Sequence, residues 1–312
     1  MAQPNAASDT ESEAFTWPTA VERFVICIGA QKSATSWLFD MAKHDPQVCV
    51  SGVKEVGYWN LHNPDAAIVQ AVTKQRKRAI LKSRAKLLRD TVLLRDRSAA
   101  KSQLDKWTSL YHLDQLHDEG DHQGYIDFLT KEYAGEAVVL EATPSYALLP
   151  AGRYAEMREL HPDTRLLFML RDPVERLWSD CNYYFRKRKA SRGYQEQEII
   201  DFFNWSLSAR DEGWYQHSDY VEIFDRLDAD GVLDDMHFLF FETLHSEVEQ
   251  QHVRDIFELD LSQDRDRRVN STKAKVAMPQ EAREQGRRVF APVYAMIQEK
   301  FGSRVPAKWS ES

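Results

Sequence analysis

The sequence is poor in cysteine, glycine and long apolar runs, and each shortage removes a class of protein. Its three cysteines, Cys27, Cys49 and Cys181, show no C-x-x-C spacing. That excludes a disulfide framework and a cysteine zinc site, and it fits a reducing compartment. Cys27 and Cys49 sit in apolar runs and read as core thiols. His112, His117 and His122 lack partners at zinc spacing, so no metal is expected. No run approaches membrane-spanning length. The first twenty residues lack the basic start and apolar core of a signal peptide. Residues 1–20 are expected to be a disordered acidic leader, and the location cytoplasmic. A net charge of −8 gives no hint of a nucleic-acid partner. No internal repeat is present.

What is present can build a large core. Hydrophobic residues make up 43% of the 312, enough for one large α/β domain or two small ones. The organising stretch runs from Phe24 to Leu38. Phe24-Val25-Ile26-Cys27-Ile28 reads as a buried strand. Gly29 breaks it, since glycine enters a tight turn cheaply. Lys32, Ser33, Ala34, Thr35 and Ser36 follow, and a helix starts at Trp37. Strand, small-residue loop and helix aim backbone N–H groups at an anion, usually a phosphate. Lys32 adds a mobile charge, and Thr35 and Ser36 add hydroxyls. An ATPase loop requires G-x-x-x-x-G-K-[ST]; here Ala34 and Thr35 stand where its second glycine and lysine belong. The plain alternative is an ordinary strand–turn–helix with a surface lysine.

Four more strands are expected, at Val48–Val50, Ala137–Leu140, Arg165–Leu170 and Met236–Phe241. Lys54-Glu55 lies just past the second, where open α/β sheets place ligands. Glu55 can serve as a base, or the two can be a solvated pair. Residues 64–118 read as helical. From Lys74 to Lys106, twelve Lys/Arg face three Asp, a local charge of +9. Ile80, Leu81, Ala85, Leu88 and Val92 form an apolar stripe near helical period. This basic amphipathic helix is either a solvated face or a surface for an anionic acceptor or a lipid headgroup. Glu141-Ala142-Thr143-Pro144-Ser145-Tyr146 forms a turn after the third strand. Arg171-Asp172-Pro173 follows the fourth, with Asp172 as N-cap. Arg171 and Ser179, two turns into that helix, make a suitable phosphate clamp. Helices are expected over 154–160, 196–229, 243–257 and 281–301.

Together these segments resemble the sulfotransferases that use 3′-phosphoadenosine-5′-phosphosulfate (PAPS), especially the bacterial and heparan-sulfate types. The stretch from Gly29 through Trp37 is similar to their 5′-phosphosulfate loop. Arg171 to Asp180 is similar to their 3′-phosphate motif. Lys54-Glu55 resembles their K-E segment, whose glutamate is the base. Glu141–Tyr146 resembles their substrate-side turn, placing Lys54, Thr143 and Tyr146 near the acceptor. Arg268–Lys273 is loosely similar to a third cofactor segment, with Lys273 as contact. The resemblance covers roughly residues 22–280. It implies a P-loop-like three-layer α/β fold: a central parallel sheet of about five strands flanked by helices. The implied organisation is a single domain over 21–312 with a helical insertion at about 64–130. It also implies sulfonyl transfer from PAPS to an acceptor hydroxyl, less expectedly an amine, with Glu55 as base, Lys32 at the leaving oxygen and no metal. Relatives commonly carry histidine where Gly57 stands, lysine where Ala142 stands, and paired cysteines near the last loop. These departures point away from a heparan-like acceptor and leave the cofactor motifs intact.

Two rivals remain at this level. A P-loop kinase predicts a Walker lysine, which the chain lacks. A non-enzymatic nucleotide- or membrane-binding module predicts degenerate motifs, whereas Lys32, Glu55, Arg171 and Ser179 are all present. His112, His117 and His122 are rival bases, in a polar region without a surrounding motif. The acceptor's identity is not legible, because acceptor pockets are built from variable loops.

Overall fold

The computed structural model describes residues 15–62, 66–118, 122–189, 192–261 and 276–310. Its centre is a five-stranded, all-parallel sheet in the order β2-β3-β1-β4-β5. The strands are β1 (Arg23–Gly29), β2 (Val48–Val50), β3 (Val138–Ala142), β4 (Thr164–Leu170) and β5 (His237–Phe240). All five expected strands form, with ends shifted by one or two residues.

β1 is central and buried throughout, as the continuous run of Phe24 to Ile28 requires of a strand covered on both faces. Alternate side chains divide between two cores. Phe24, Ile26 and Ile28 pack with Leu166, Phe168 and Leu170 on one face. Val25 and Cys27 pack with Leu140, Leu167 and Met169 on the other. α1 (Thr35–Lys43) covers the second face through Trp37, Leu38, Met41 and Ala42, together with the helix Glu247–Phe257. The three cysteines are buried and free, and burial pushes the Cys27 thiol up to about 12.

The insertion between β2 and β3 holds α2 (Ala66–Val92), α3 (Ser98–Asp118) and α4 (His122–Leu129). α2 and α3 form a hairpin. The expected apolar stripe forms, and most of it faces outward. Ile80 is buried, but Leu81, Leu88 and Val92 are 63%, 66% and 72% exposed. The face turned to α3 carries Arg76, Ile80, Ser83 and Asp90, all buried. Both sets have helical period. A buried ion pair, Arg76–Asp114, selects the polar one.

The fourth strand leads to α5's successor in the usual way: α5 (Arg153–Arg158) precedes β4, and α6 (Pro173–Tyr184) follows it. Asp172 caps α6 as expected, accepting from the N–H groups of Val174 and Glu175 at 3.0 and 2.9 Å. The stretch 196–229 is three helices, and 281–301 is two, Gln280–Val289 and Ala291–Phe301, broken before Pro292. Among the described residues, no helix is long and apolar enough to cross a membrane.

Gly29 owes its identity to a close approach, not to the turn. It ends β1 opposite Phe168. A Cβ there would lie 2.5 Å from Phe168 Cε2 and 3.0 Å from Ala147 Cβ. Gly29→Ala is expected to lose ~1–3 kcal/mol of stability, the usual cost of overpacking. Phe168→Leu should relieve part of that loss. Urea unfolding of both single variants and the double variant checks this, and strictly additive losses would refute it.

Candidate active site

The carboxyl ends of β1, β2, β3 and β4 share one edge of the parallel sheet, where open α/β folds bind ligands. Two groups of side chains gather along it.

The first group surrounds the start of α1. Lys32 and Ala34 hold φ of 70° and 67°, left-handed values that cost non-glycine residues energy and cluster at ligand sites. Ala34 is the N-cap and supplies no side-chain bond. The first N–H groups of α1 are therefore open, with the positive end of the helix dipole behind them. Ser33 Oγ is buried beside them without a partner.

β4 is the neighbour of β1, so Arg171 meets this loop. Its Nη1 donates to the Lys32 carbonyl at 2.7 Å, and its guanidinium lies 4.5 Å from the centre of the Phe241 ring. Its Nε is buried and unpartnered. The Lys32 ammonium lies 3.9 Å from the centre of the Tyr183 ring. Tyr183 is one turn beyond Ser179 on α6, so both occupy one helix face. Lys32, Arg171 and half-buried Ser179 are thus gathered by two neighbouring strands and the helix after one of them. Neither cation has an ion pair among the described residues. Burial, reinforced by Arg171, Arg186 and Arg176 and opposed by Asp180, lowers the Lys32 ammonium to about 8. Burial also lowers Arg171. Buried charge without a counter-ion is costly. An anion bound at the open helix end would remove that cost.

The second group surrounds a cavity of about 230 Å³ between the loop after β2 and the α2–α3 hairpin. Lys54, Glu55, Gly57, Asn60, Thr143 and Ser145 line one side; Gln75, Arg76, Lys106 and Trp107 line the other. Glu55 is the one carboxylate in this lining. Its side chain is 60% exposed and pairs with Lys54 Nζ at 2.7 Å. No residue of the 29–36 loop lines the cavity. β3 separates β1 from β2, so the two loops are linked through Thr143. Its N–H donates to the Cys27 carbonyl at 3.1 Å, and its Oγ1 accepts from the Gly57 N–H at 3.3 Å.

The 141–146 turn is built as support. Glu141 is fully buried. Its Oε1 accepts from Thr143 Oγ1 at 2.7 Å and from the Tyr146 hydroxyl at 2.8 Å, and its Oε2 accepts from Tyr125. Burial raises its carboxyl, against the pull of those three hydroxyls. Thr143 reaches the cavity; Tyr146 does not. Lys273 lies outside the described residues. Of the rival histidines, neither His112 nor His122 lines the cavity. His112 is exposed. His122 packs against Tyr58, Trp59 and His62, with Nδ1 3.0 Å from the Tyr58 hydroxyl. The side chain of His117 lies outside the described residues.

Sequence reasoning missed Arg76, Lys106, Trp107 and Tyr183. Tyr183 was findable from its i+4 spacing to Ser179. Arg76 was hidden among exposed cations. Its Nη2 donates to the Val56 carbonyl at 2.8 Å, and its Nη1 donates to the Leu110 carbonyl at 2.8 Å and to Asp114. It therefore ties the loop carrying Glu55 to α3. Gly57 has a φ of 69°, and a Cβ there would stand 3.4 Å from Arg76 Nη2. Asn60 Nδ2 would stand 3.3 Å from it, so two polar side chains border this position.

A parallel α/β sheet with an open, cation-flanked helix N-terminus is a geometry suited to phosphate-like anions. The sulfotransferase family model matches residues 25–264, and the chain belongs to that family. Three solved structures are similar. A sulfotransferase from Alicyclobacillus acidocaldarius aligns at 21% identity and a TM-score of 0.54, covering 93% of this chain and 98% of that one. A Mycobacterium avium sulfotransferase aligns at 14% identity and a TM-score of 0.41, covering 89% and 77%. The sulfotransferase domain of a Synechococcus olefin synthase aligns at 11% and 0.37, covering 89% and 98%. The first of these supports the P-loop-like three-layer fold. No curated protein sequence matches the chain.

Replacing Arg76 tests the brace. Arg76→Met leaves Asp114 buried without its ion pair, a change expected to cost ~3–5 kcal/mol. Adding Asp114→Leu should restore part of that stability by removing the uncompensated buried charge, while the Val56 and Leu110 carbonyls still lack their donor. Denaturant melts of the two variants check this. A double variant no more stable than Arg76→Met would refute it.

Proposed function

We propose that the protein transfers a sulfonyl group from PAPS to a hydroxyl, less favourably an amine, on a glycan, lipid or small-metabolite acceptor. The observation that carries this is the pair Lys32 and Arg171, two cations with no ion pair among the described residues, beside the open N-terminus of α1. Such a site fits a ligand with two separated phosphate groups. The N–H groups and hydroxyls of Thr35 and Ser36 hold the 5′-phosphate. Arg171 and Ser179 hold the 3′-phosphate. When bound, the donor supplies an activated sulfur–oxygen bond.

Glu55 takes the acceptor proton as the acceptor oxygen bonds to sulfur. The bond between sulfur and the 5′-phosphate oxygen breaks, and Lys32 neutralises the charge left on that oxygen. The cavity beside Glu55 receives the acceptor, with Thr143 and Lys54 at its wall. No metal is needed, because lysine, arginine and helix dipole provide the positive charge.

Lys32 makes nucleotide binding pH-dependent. Its ammonium is held near 8 in the free protein, and a bound phosphate favours the charged form. Affinity for 3′-phosphoadenosine-5′-phosphate should fall as pH rises through that value, and binding above it should take up a proton. Calorimetry in two buffers of different ionisation enthalpy measures that proton. Lys32→Arg stays charged and should flatten the profile. A wild-type profile that is already flat across this range would sink the assignment.

Glu55→Gln keeps the shape of the side chain and removes the base. Transfer of labelled sulfonate from PAPS to acceptors in a cell extract should slow by ~10²–10⁴-fold. Nucleotide affinity and melting temperature should hold, because the side chain is 60% exposed. His122→Ala should retain transfer. Retention by Glu55→Gln with loss in His122→Ala would make the histidine the base. Turnover of ATP with magnesium, and none of PAPS, would favour a kinase instead.

A further inference from the structure

The exposed side of α2 carries a second amphipathic pattern that the α3 contact does not use. Leu81, Ala85, Leu88 and Val92 fall within about 60° of one another around the helix, at 3.6 residues per turn. Leu81, Leu88 and Val92 are 63%, 66% and 72% exposed, and the stripe runs into Leu93 and Leu94 at 52% and 95%. Contiguous exposed leucine and valine of this kind mark an interaction surface.

Charge selects the partner. Lys74, Lys77, Arg78, Lys82, Arg84, Lys86 and Arg89 are all exposed, and the one acid on α2, Asp90, follows them and is buried. The turn beyond adds Arg95, Asp96 and Arg97. A second copy would set two such rows of cations against each other. A nucleic acid would match the charge and leave the leucines in water. An anionic bilayer matches both, since acyl chains take the apolar stripe and headgroup phosphates take the flanking cations.

We propose that the α2–α3 hairpin docks on the surface of an anionic lipid bilayer, with the Leu81–Leu94 stripe sunk at the headgroup boundary. The docking face is separate from the site. Among the cations of the basic segment, Arg76 and Lys106 line the cavity and the row from Lys77 to Arg89 does not.

The test uses the full chain and sedimentation with phosphatidylcholine vesicles, with and without one-third phosphatidylglycerol. Binding is expected to the anionic vesicles, to be absent from neutral ones, and to weaken as salt rises. The triple variant Lys82→Glu, Arg84→Glu, Lys86→Glu should lose ~100-fold or more in vesicle affinity, at roughly fivefold per charge. Leu81→Ser, Leu88→Ser, Val92→Ser should lose at least ~10-fold. Both variants should keep wild-type nucleotide affinity and melting temperature without vesicles. Equal binding to neutral and anionic vesicles, no binding to either, or variants that bind like wild type would each overturn the proposal. So would a concentration-dependent dimer lost in the serine variant while vesicles go unbound.

Discussion

The structure depends on holding two cations, Lys32 and Arg171, at the carboxyl edge of the sheet with no ion-paired carboxylate among the described residues. Arg171 is kept in place by uncharged contacts. The Phe241 ring lies beneath its guanidinium, and the Tyr220 hydroxyl donates to its carbonyl at 2.7 Å. Further carboxylates are present nearby but spent elsewhere. Asp172 caps α6 and accepts from the Tyr294 hydroxyl at 2.9 Å. Glu242 accepts from the Asp172 N–H at 3.0 Å and from Trp309 Nε1 at 2.9 Å. The C-terminal helices thus support the clamp from behind. They hold these acids in place, and among the described residues neither Asp172 nor Glu242 forms an ion pair with Lys32 or Arg171.

The five strands were legible because strands buried on both faces must be continuous apolar runs, and Phe24–Ile28 and Leu166–Leu170 are such runs. The N-cap at Asp172 was legible because the D-P pair carries its own local chemistry. The reading of Gly29 failed in its reason. Glycine is needed there because Phe168, distant in sequence, packs against it, and local pattern carries no such information. Which way the apolar stripe of α2 faces was equally illegible. Two faces share one period, and only the partner helix decides which is buried.

The candidate site was legible as separate segments, but not in its arrangement. Lys32, Arg171 and Ser179 come together because β1 and β4 are neighbours. Glu55 lies beyond an intervening strand, and Thr143 and Arg76 set its loop. Thr143 had been assigned to the acceptor side through a resemblance. Its bonds to Glu141, Gly57 and the Cys27 carbonyl make it also the joint between donor loop and base loop. Tyr146 is committed to Glu141 in the interior and supports the acceptor side from beneath.

Arg76 gives the insertion a mechanical role. It borders Gly57 and bonds the Val56 carbonyl just after Glu55, so the loop carrying Glu55 is positioned by α2 as well as by the sheet. The same helix continues from Arg76 to Val92 for about 24 Å at 1.5 Å per residue. A helix of that length, packed along α3, has little freedom to bend independently. A surface engaged by its outer turns therefore sets the height and tilt of the cavity relative to that surface. Lys106 and Trp107, across the cavity on α3, move as part of the same hairpin. The cavity is consequently walled on one side by loops at the edge of the sheet and on the other by the hairpin.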